Sequence, residues 1–211
     1  MPTIQLTKEA DLLQRFVVYG EFYERDPASG RHKYRRTLEV HDKAHTLEGV
    51  NLPDAVFVMM NPGKSVPIDP TSEGLTPTVP DKTQYQIMRV MESKSWNFVR
   101  VLNLSDHREP DKDVLLGLIP NLPTKHTIFD SSRAAELGPL INTEGPIIAA
   151  WGVDPGLDRL IAKAMGSLTS LGKTVVGRKA DRGQRGNLYN HPLYQQATWL
   201  ECILEQLQTS K

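Results

Sequence analysis

Residues 56–65 read VFVMMNPGKS. With Asp54 and Ala55 in front, DAVFVMMN is a continuous apolar run, the pattern of a strand buried on both faces. The run breaks at Asn61-Pro62-Gly63 and continues into Lys64-Ser65. Gly-Lys-Ser has the form of the end of a phosphate-binding P-loop, but that loop needs a glycine five positions earlier. Val58 stands there, inside the apolar run, and Pro62 removes a backbone donor. The stretch is therefore expected to be a central strand that ends in an amide-bearing turn.

Outward from this strand, helical and apolar segments alternate. Residues 8–15 fit a short helix. FVVYGEFYE and KYRRTLEVH alternate around the turn-rich RDPASGR and predict an N-terminal β-hairpin. Residues 62–80 have no periodicity and read as a long functional loop. KTQYQIMRVMES has helical spacing, and NFVRVLNLS is a second buried strand. Helices are expected near 111–119 and 130–141, the second capped by Asp130-Ser131. GPIIAAWG is a third buried strand, GLDRLIAKAMGSLTSL an amphipathic helix, KTVVGR a short fourth strand and ATWLECILEQLQ a closing helix. Strands alternating with helices predict a three-layer α/β/α sandwich around a mostly parallel sheet, as a single domain over residues 1–211.

The 211 residues include 39% hydrophobic and 24% charged, with a formal net charge of zero. That balance gives no global signature of nucleic-acid binding, so any such surface must be local. Cys202 sits in a helical apolar pattern and reads as a core thiol. No basic-then-apolar leader and no membrane-length apolar run is present, so a cytoplasmic protein without membrane contact is expected. No obligate protein partner is evident. His41 and His45 have i,i+4 spacing but no further ligands nearby, so no metal site is expected, and no organic cofactor is implied.

Parallel sheets bind ligands at the carboxyl ends of their strands. Here the strand ends carry Asn61-Pro62-Gly63, Asn103 and Trp151-Gly152, and the fourth strand is followed by His191-Pro192. An amide such as Asn61 can orient a water. Asn103 offers the donor and acceptor that suit a nucleobase edge. His191 can donate a directed hydrogen bond to a developing oxyanion. Taken singly, Asn-Pro-Gly is a turn, Trp-Gly is packing and His-Pro says little; their order and shared position at strand ends point to a site.

The ordered set resembles the uracil-DNA glycosylase superfamily. FVMMNPG is similar to its first motif in the Asn-Pro-Gly form of the mismatch-specific thymine/uracil branch. VRVLNL resembles the strand whose Asn reads the base, PIIAAWG the strand before the second motif, and NHPLY its His-Pro-Ser motif. Over most of residues 33–200 the chain also resembles an uncharacterised bacterial family with Asn-Pro-Ser, Ala-Trp-Gly and His-Pro-Leu-Tyr motifs. Gly63 replaces the Ser of that family, and Leu193 stands where the glycosylase motif has Ser. The resemblance implies that Asn61 positions the attacking water, Asn103 holds the flipped base and His191 stabilises the departing base. Gly63 would face the base, and Tyr194 is the candidate wedge that stacks where the base has left.

DNA would be the partner. RHKYRR (31–36) supplies one basic cluster, and GRKADRGQR (177–185) supplies Arg178, Lys179, Arg182 and Arg185; Lys64 and Ser65 would add contacts after the turn. The expected function is a monofunctional DNA glycosylase that leaves an abasic site. A non-catalytic nucleic-acid or nucleotide-binding module on the same fold is the alternative. No aromatic residue precedes Tyr85 after the first motif, so the C5 side of the pocket is expected to be open, with the loop's Ser, Thr, Lys and Asp available to a polar substituent. That favours a C5-modified cytosine, hydroxymethylated or glucosylated, and hence a role in defence against phage. A mismatched thymine or uracil is the alternative substrate.

Overall fold

The computed structural model of the chain describes residues 4–24, 33–45, 52–143, 145–180 and 186–209. These form an α/β protein around a mixed seven-stranded sheet of order β4-β1-β2-β5-β3-β6-β7. The strands are β1 (Phe16–Tyr23), β2 (Tyr34–Asp42), β3 (Ala55–Met59), β4 (Leu75–Pro77), β5 (Phe98–Asn103), β6 (Ile147–Ala149) and β7 (Val175–Val176). The helices are α1 (Glu9–Arg15), α2 (Lys82–Lys94), α3 (Lys112–Leu118), α4 (Ala134–Ile141), α5 (Asp158–Ser170) and α6 (Gln196–Thr209).

The expectation of a mostly parallel sheet needs correction. β5, β3, β6 and β7 are parallel, whereas the pairs β4–β1, β1–β2 and β2–β5 are antiparallel. The physical reason lies in the connections. The long helical crossovers at α2 and α5 return the chain to the same end of the sheet, while β1 and β2 are consecutive elements among the described residues and pair directly. β1 and β2 pair antiparallel from Phe16↔Asp42 to Tyr23↔Tyr34, and the segment that joins them, 25–32, lies outside the described residues. β4 lies within the stretch read as an irregular loop, where three residues pair with β1.

All five residues of β3 are buried, as its unbroken apolar run requires, and alternation splits them between two cores. Ala55, Phe57 and Met59 join Leu12 of α1, Ile87 and Met91 of α2 and Trp199 and Ile203 of α6. Val56 and Val58 join Leu137 and Ile141 of α4 and Leu160, Ile161 and Ala164 of α5. Helices thus cover both faces of the sheet. Trp151 and Trp199 are fully buried, and truncating either to Ala would cost about 3–5 kcal/mol.

Their indoles also fix backbone. Trp199 Nε1 donates to Asn190 O at 3.1 Å and Trp151 Nε1 to Asn187 O at 3.1 Å. Gly152, at φ +97°, pairs with Tyr189. Trp151-Gly152 therefore anchors the chain that leads into His191. Gly177 permits a close approach there, because a β-carbon would stand 2.5 Å from both Ala149 O and Tyr189 Cδ1.

Candidate functional site

The pairing Met59↔Asn103 puts the carboxyl ends of β3 and β5 side by side. Leu104 N–H donates to Met59 O at 2.8 Å and Ser105 N–H to Met60 O at 3.0 Å, carrying the pairing past the strands. With side chains alternating, Met59 and Asn61 share a face with Val101 and Asn103. That face opens on a cavity of about 580 Å³, lined by Asn61, Pro62, Gly63 and Lys64 from the turn and by Asn103 from β5. Asp81, Tyr85 and Ile87 line it from α2 and its cap, and His191 and Leu193 from the closing segment. Asn61, Gly63, Lys64, Asn103 and His191, singled out from the sequence, thus meet in one cavity.

Asn61 is held from one side. Its Nδ2 donates to Glu109 O at 2.7 Å and His107 O at 3.3 Å. Both donors of the amide nitrogen are committed, which leaves Oδ1 as the atom that can accept from a water. The segment carrying those carbonyls is itself braced: Asp106 accepts from Arg133 Nη1 at 2.6 Å and from the Tyr23 hydroxyl at 2.7 Å. Gly63 sits at φ +60°, the left-handed region that disfavours a side chain, and Asp81 Oδ2 is 3.9 Å from where its β-carbon would stand. Asp81 caps α2, its Oδ1 accepting from Thr83 N–H at 2.8 Å and Gln84 N–H at 3.3 Å.

Asn103 is 0% exposed, and neither Oδ1 nor Nδ2 has a hydrogen-bond partner. Leaving such groups unmade costs about 1–3 kcal/mol each. A buried carboxamide facing a cavity in that condition is poised for a ligand with a complementary acceptor and donor.

His191 is defined by its own turn. Its Nδ1 accepts from Leu193 N–H at 3.3 Å, so the neutral ring carries its proton on Nε2. Burial pushes the His191 pKa down to about 4, against the opposing field of Asp81. The imidazole is neutral at physiological pH and acts as an Nε2–H donor. Gln86 of α2 fixes the next residues, donating to Pro192 O at 3.3 Å and Gln196 O at 3.0 Å.

Several expected contacts are corrected. Arg178 is 8% exposed. Its guanidinium donates to Tyr194 O and to Gln195 Oε1 and stacks over the Tyr194 ring at 5.3 Å. It braces the 191–195 turn rather than following phosphates. Ser65 is 2% exposed, its N–H donating to Pro62 O at 3.4 Å, so it is buried rather than part of the exposed surface. Within RHKYRR, Arg35 is 1% exposed and lines the cavity, and Arg36 pairs with Glu21 and Glu136. Lys64 and Lys179 are exposed. Arg182 and Arg185, with Arg31 and His32, lie outside the described residues. Tyr194 is 49% exposed beside His191 and does not line the cavity; Leu193 does.

The long loop also differs from expectation. Asp69 accepts from Thr71 and Ser72, so these polar groups satisfy one another. Of the loop's Ser, Thr, Lys and Asp residues, Lys64 lines the cavity. Tyr85 of α2 also lines the cavity.

Sequence reading missed Arg35, Asp81 and Leu193 as cavity residues. Asp81 had a legible signal, as the cap of a capping box with Gln84 that opens α2 directly after the loop. Among the described residues, no group of three His, Cys, Asp or Glu is placed to hold a metal ion, and no helix is long and apolar enough to cross a membrane. His41 instead pairs with Glu39 at 3.0 Å and packs edge-on to Phe98. Comparison of the chain with protein-family models, curated proteins and solved structures gives no match.

Proposed function

We propose that the chain is a monofunctional DNA glycosylase on a uracil-DNA glycosylase-like fold with an N-terminal β-hairpin. The observation that carries this reading is the gathering of Asn61, Asn103 and His191 in one cavity from three separate segments. Each is in the state its role needs. Asn61 has only its oxygen uncommitted, Asn103 has an unused donor and acceptor, and His191 is a neutral donor.

A base flipped from the duplex enters the cavity and sets its amide-like edge on Asn103. A water held by Asn61 Oδ1 attacks C1′ of the sugar. The N-glycosidic bond breaks, and its electron pair leaves with the base. His191 Nε2–H donates to the base oxygen where that charge collects, which suits a fixed neutral donor. Asp81, a carboxylate that lines the same cavity, takes the proton that the water loses. Tyr194, exposed at the rim and gripped by Arg178, is the wedge that fills the emptied stack. Lys64 and Lys179 meet the phosphates.

The cavity, about 580 Å³, lies in the size range of small-molecule sites. We favour a C5-substituted pyrimidine as the substrate class, a hydroxymethylated or glucosylated cytosine being one member, with a role in defence against modified phage DNA as the corollary. The test incubates the protein with duplexes containing uracil, mismatched thymine, 5-hydroxymethylcytosine and its glucosylated form, then cleaves abasic sites with alkali. Strand cleavage at a C5-substituted base ahead of uracil supports the reading. Uracil first argues against the substrate, and binding to DNA without any cleavage argues for a non-catalytic module.

A further inference from the structure

The register of β2 contains an irregularity that the function above does not use. Glu21 pairs with Thr37 but Phe22 pairs with Arg35, so Arg36 is left without a partner in β1. Alternation from Val40 and Leu38, which face the α2 and α6 core, would put Arg36 on that face and Arg35 on the other. The bulge reverses this. Arg36 reaches Glu136 of α4 on the opposite face, and Arg35 turns into the cavity that Met59, Val101 and Asn103 also line. Re-aiming a side chain is what a bulge does next to a binding site.

Arg35 is 1% exposed, and its Nε and Nη1 have no hydrogen-bond partner. No carboxylate stands within 4.0 Å of its nitrogens to form an ion pair among the described residues. Asp81 and Asp106 act on it only through their field, and Arg108 opposes them. A desolvated cation without a contact ion pair is costly to hold in a folded protein. Asn103, which lines the same cavity, is also unpartnered. Two groups lining one cavity are thus short of an anion and of an amide edge respectively.

We propose that Arg35 and Asn103 form a recognition subsite for a pyrimidine that bears an anionic substituent, the ring edge on Asn103 and the anion on Arg35. The assignment rests on reading the cavity as a base pocket, but it does not require hydrolysis. The anion is not a phosphate of the duplex backbone, because Arg35 lies too deep for one to reach. Burial pushes the guanidinium pKa down to about 9, so it remains charged at neutral pH. A charge-assisted bond in such a place is about twice as strong as a neutral one. The Tyr85 ring, on the cavity wall, supplies a surface for the heterocycle.

The test is calorimetric titration of the full chain at neutral pH with four probes: 5-carboxyuracil, its neutral 5-carboxamide, uracil and inorganic phosphate. The expected result is 5-carboxyuracil binding at least roughly tenfold tighter than the other three. That advantage is lost in Arg35→Met and reduced in Arg35→Lys. Equal affinity for carboxylate and carboxamide overturns the subsite. So does inorganic phosphate binding as tightly as 5-carboxyuracil, a carboxylate preference that survives Arg35→Met, or no saturable binding of any probe. The four-probe comparison needs only the wild-type chain and stays decisive where a variant does not fold. A carboxylate preference without base excision would sink the glycosylase reading and leave the subsite standing. Excision without that preference would do the reverse.

Discussion

The backbone N–H of Leu193 donates to Nδ1 of His191 at 3.3 Å, two residues along a turn that Arg178 and Gln86 hold from either side. This bond assigns the ring's remaining proton to Nε2. With its pKa pushed down to about 4 by burial, His191 does not titrate in the usual histidine range. Excision should therefore show no acid limb near pH 6.5 and stay level between about pH 5 and 8 in respect of this group. A rate that falls as pH rises through 6.5 would mean that a protonated His191 is required.

The same shift has a stability consequence. The folded chain binds the His191 proton less readily than the unfolded chain, so between pH 6.5 and about 4 the unfolded state holds more protons. Stability from this group is fully present above 6.5 and declines as pH falls through that window. Urea midpoints measured across it should drop in the wild type and drop less in His191→Gln.

Asn61 is held by its nitrogen. Asn61→Asp replaces two donors with an acceptor that faces the carbonyls of His107 and Glu109. It should lose about 1–3 kcal/mol of stability, the cost of polar groups left unsatisfied, and be less stable than Asn61→Ala. Equal melting temperatures for the two variants would show that the carbonyls do not hold the amide.

These relationships show what was legible in the sequence. The strand ends were: an apolar run that stops at Asn61, another that stops at Asn103 and a His-Pro after the last strand all face one cavity. Arg35 was not, because one bulged residue inverts the alternation from which its face would be read. Arg178 was misread for a different reason. A basic residue in a polar, glycine-rich stretch looks solvated until the turn that it grips has been placed by Trp199 and Gln86. β4 escaped because three residues paired at a sheet edge leave no periodic signal. The antiparallel pairing of β1 with β2 was expected from the alternation of both segments, but the antiparallel joins of β2 to β5 and β1 to β4 depend on tertiary docking that local pattern does not encode.

The cost of Arg35 is measurable without a ligand. Arg35→Met removes a buried cation that has no ion-pair partner and should stabilise the protein while weakening its site, a trade common at functional positions. A gain of about 1 kcal/mol would appear as a melting temperature roughly 2–4 °C higher at this chain length. A lower melting temperature would mean that the guanidinium serves the fold.

Lys64 and Lys179 are exposed, whereas Arg178 is committed to Tyr194 and Gln195. Neutralising either lysine should make the slope of log affinity for DNA against log salt shallower by about one. Arg178→Gln should leave that slope unchanged and lower the excision rate, because it loosens the turn that presents His191. A shallower slope for Arg178→Gln would return this residue to the phosphate-binding surface.

Base excision in the cavity stands or falls on Asn61 and His191 together. Single-turnover formation of abasic sites should be followed for the wild type, Asn61→Ala and His191→Ala on the best duplex substrate, with DNA affinity measured in parallel. Each substitution is expected to slow excision by roughly 10²–10³ while DNA affinity and fold are retained, as for loss of one directed group at a developing charge. Excision at the wild-type rate in both variants would place the chemistry elsewhere and contradict the assignment of this cavity.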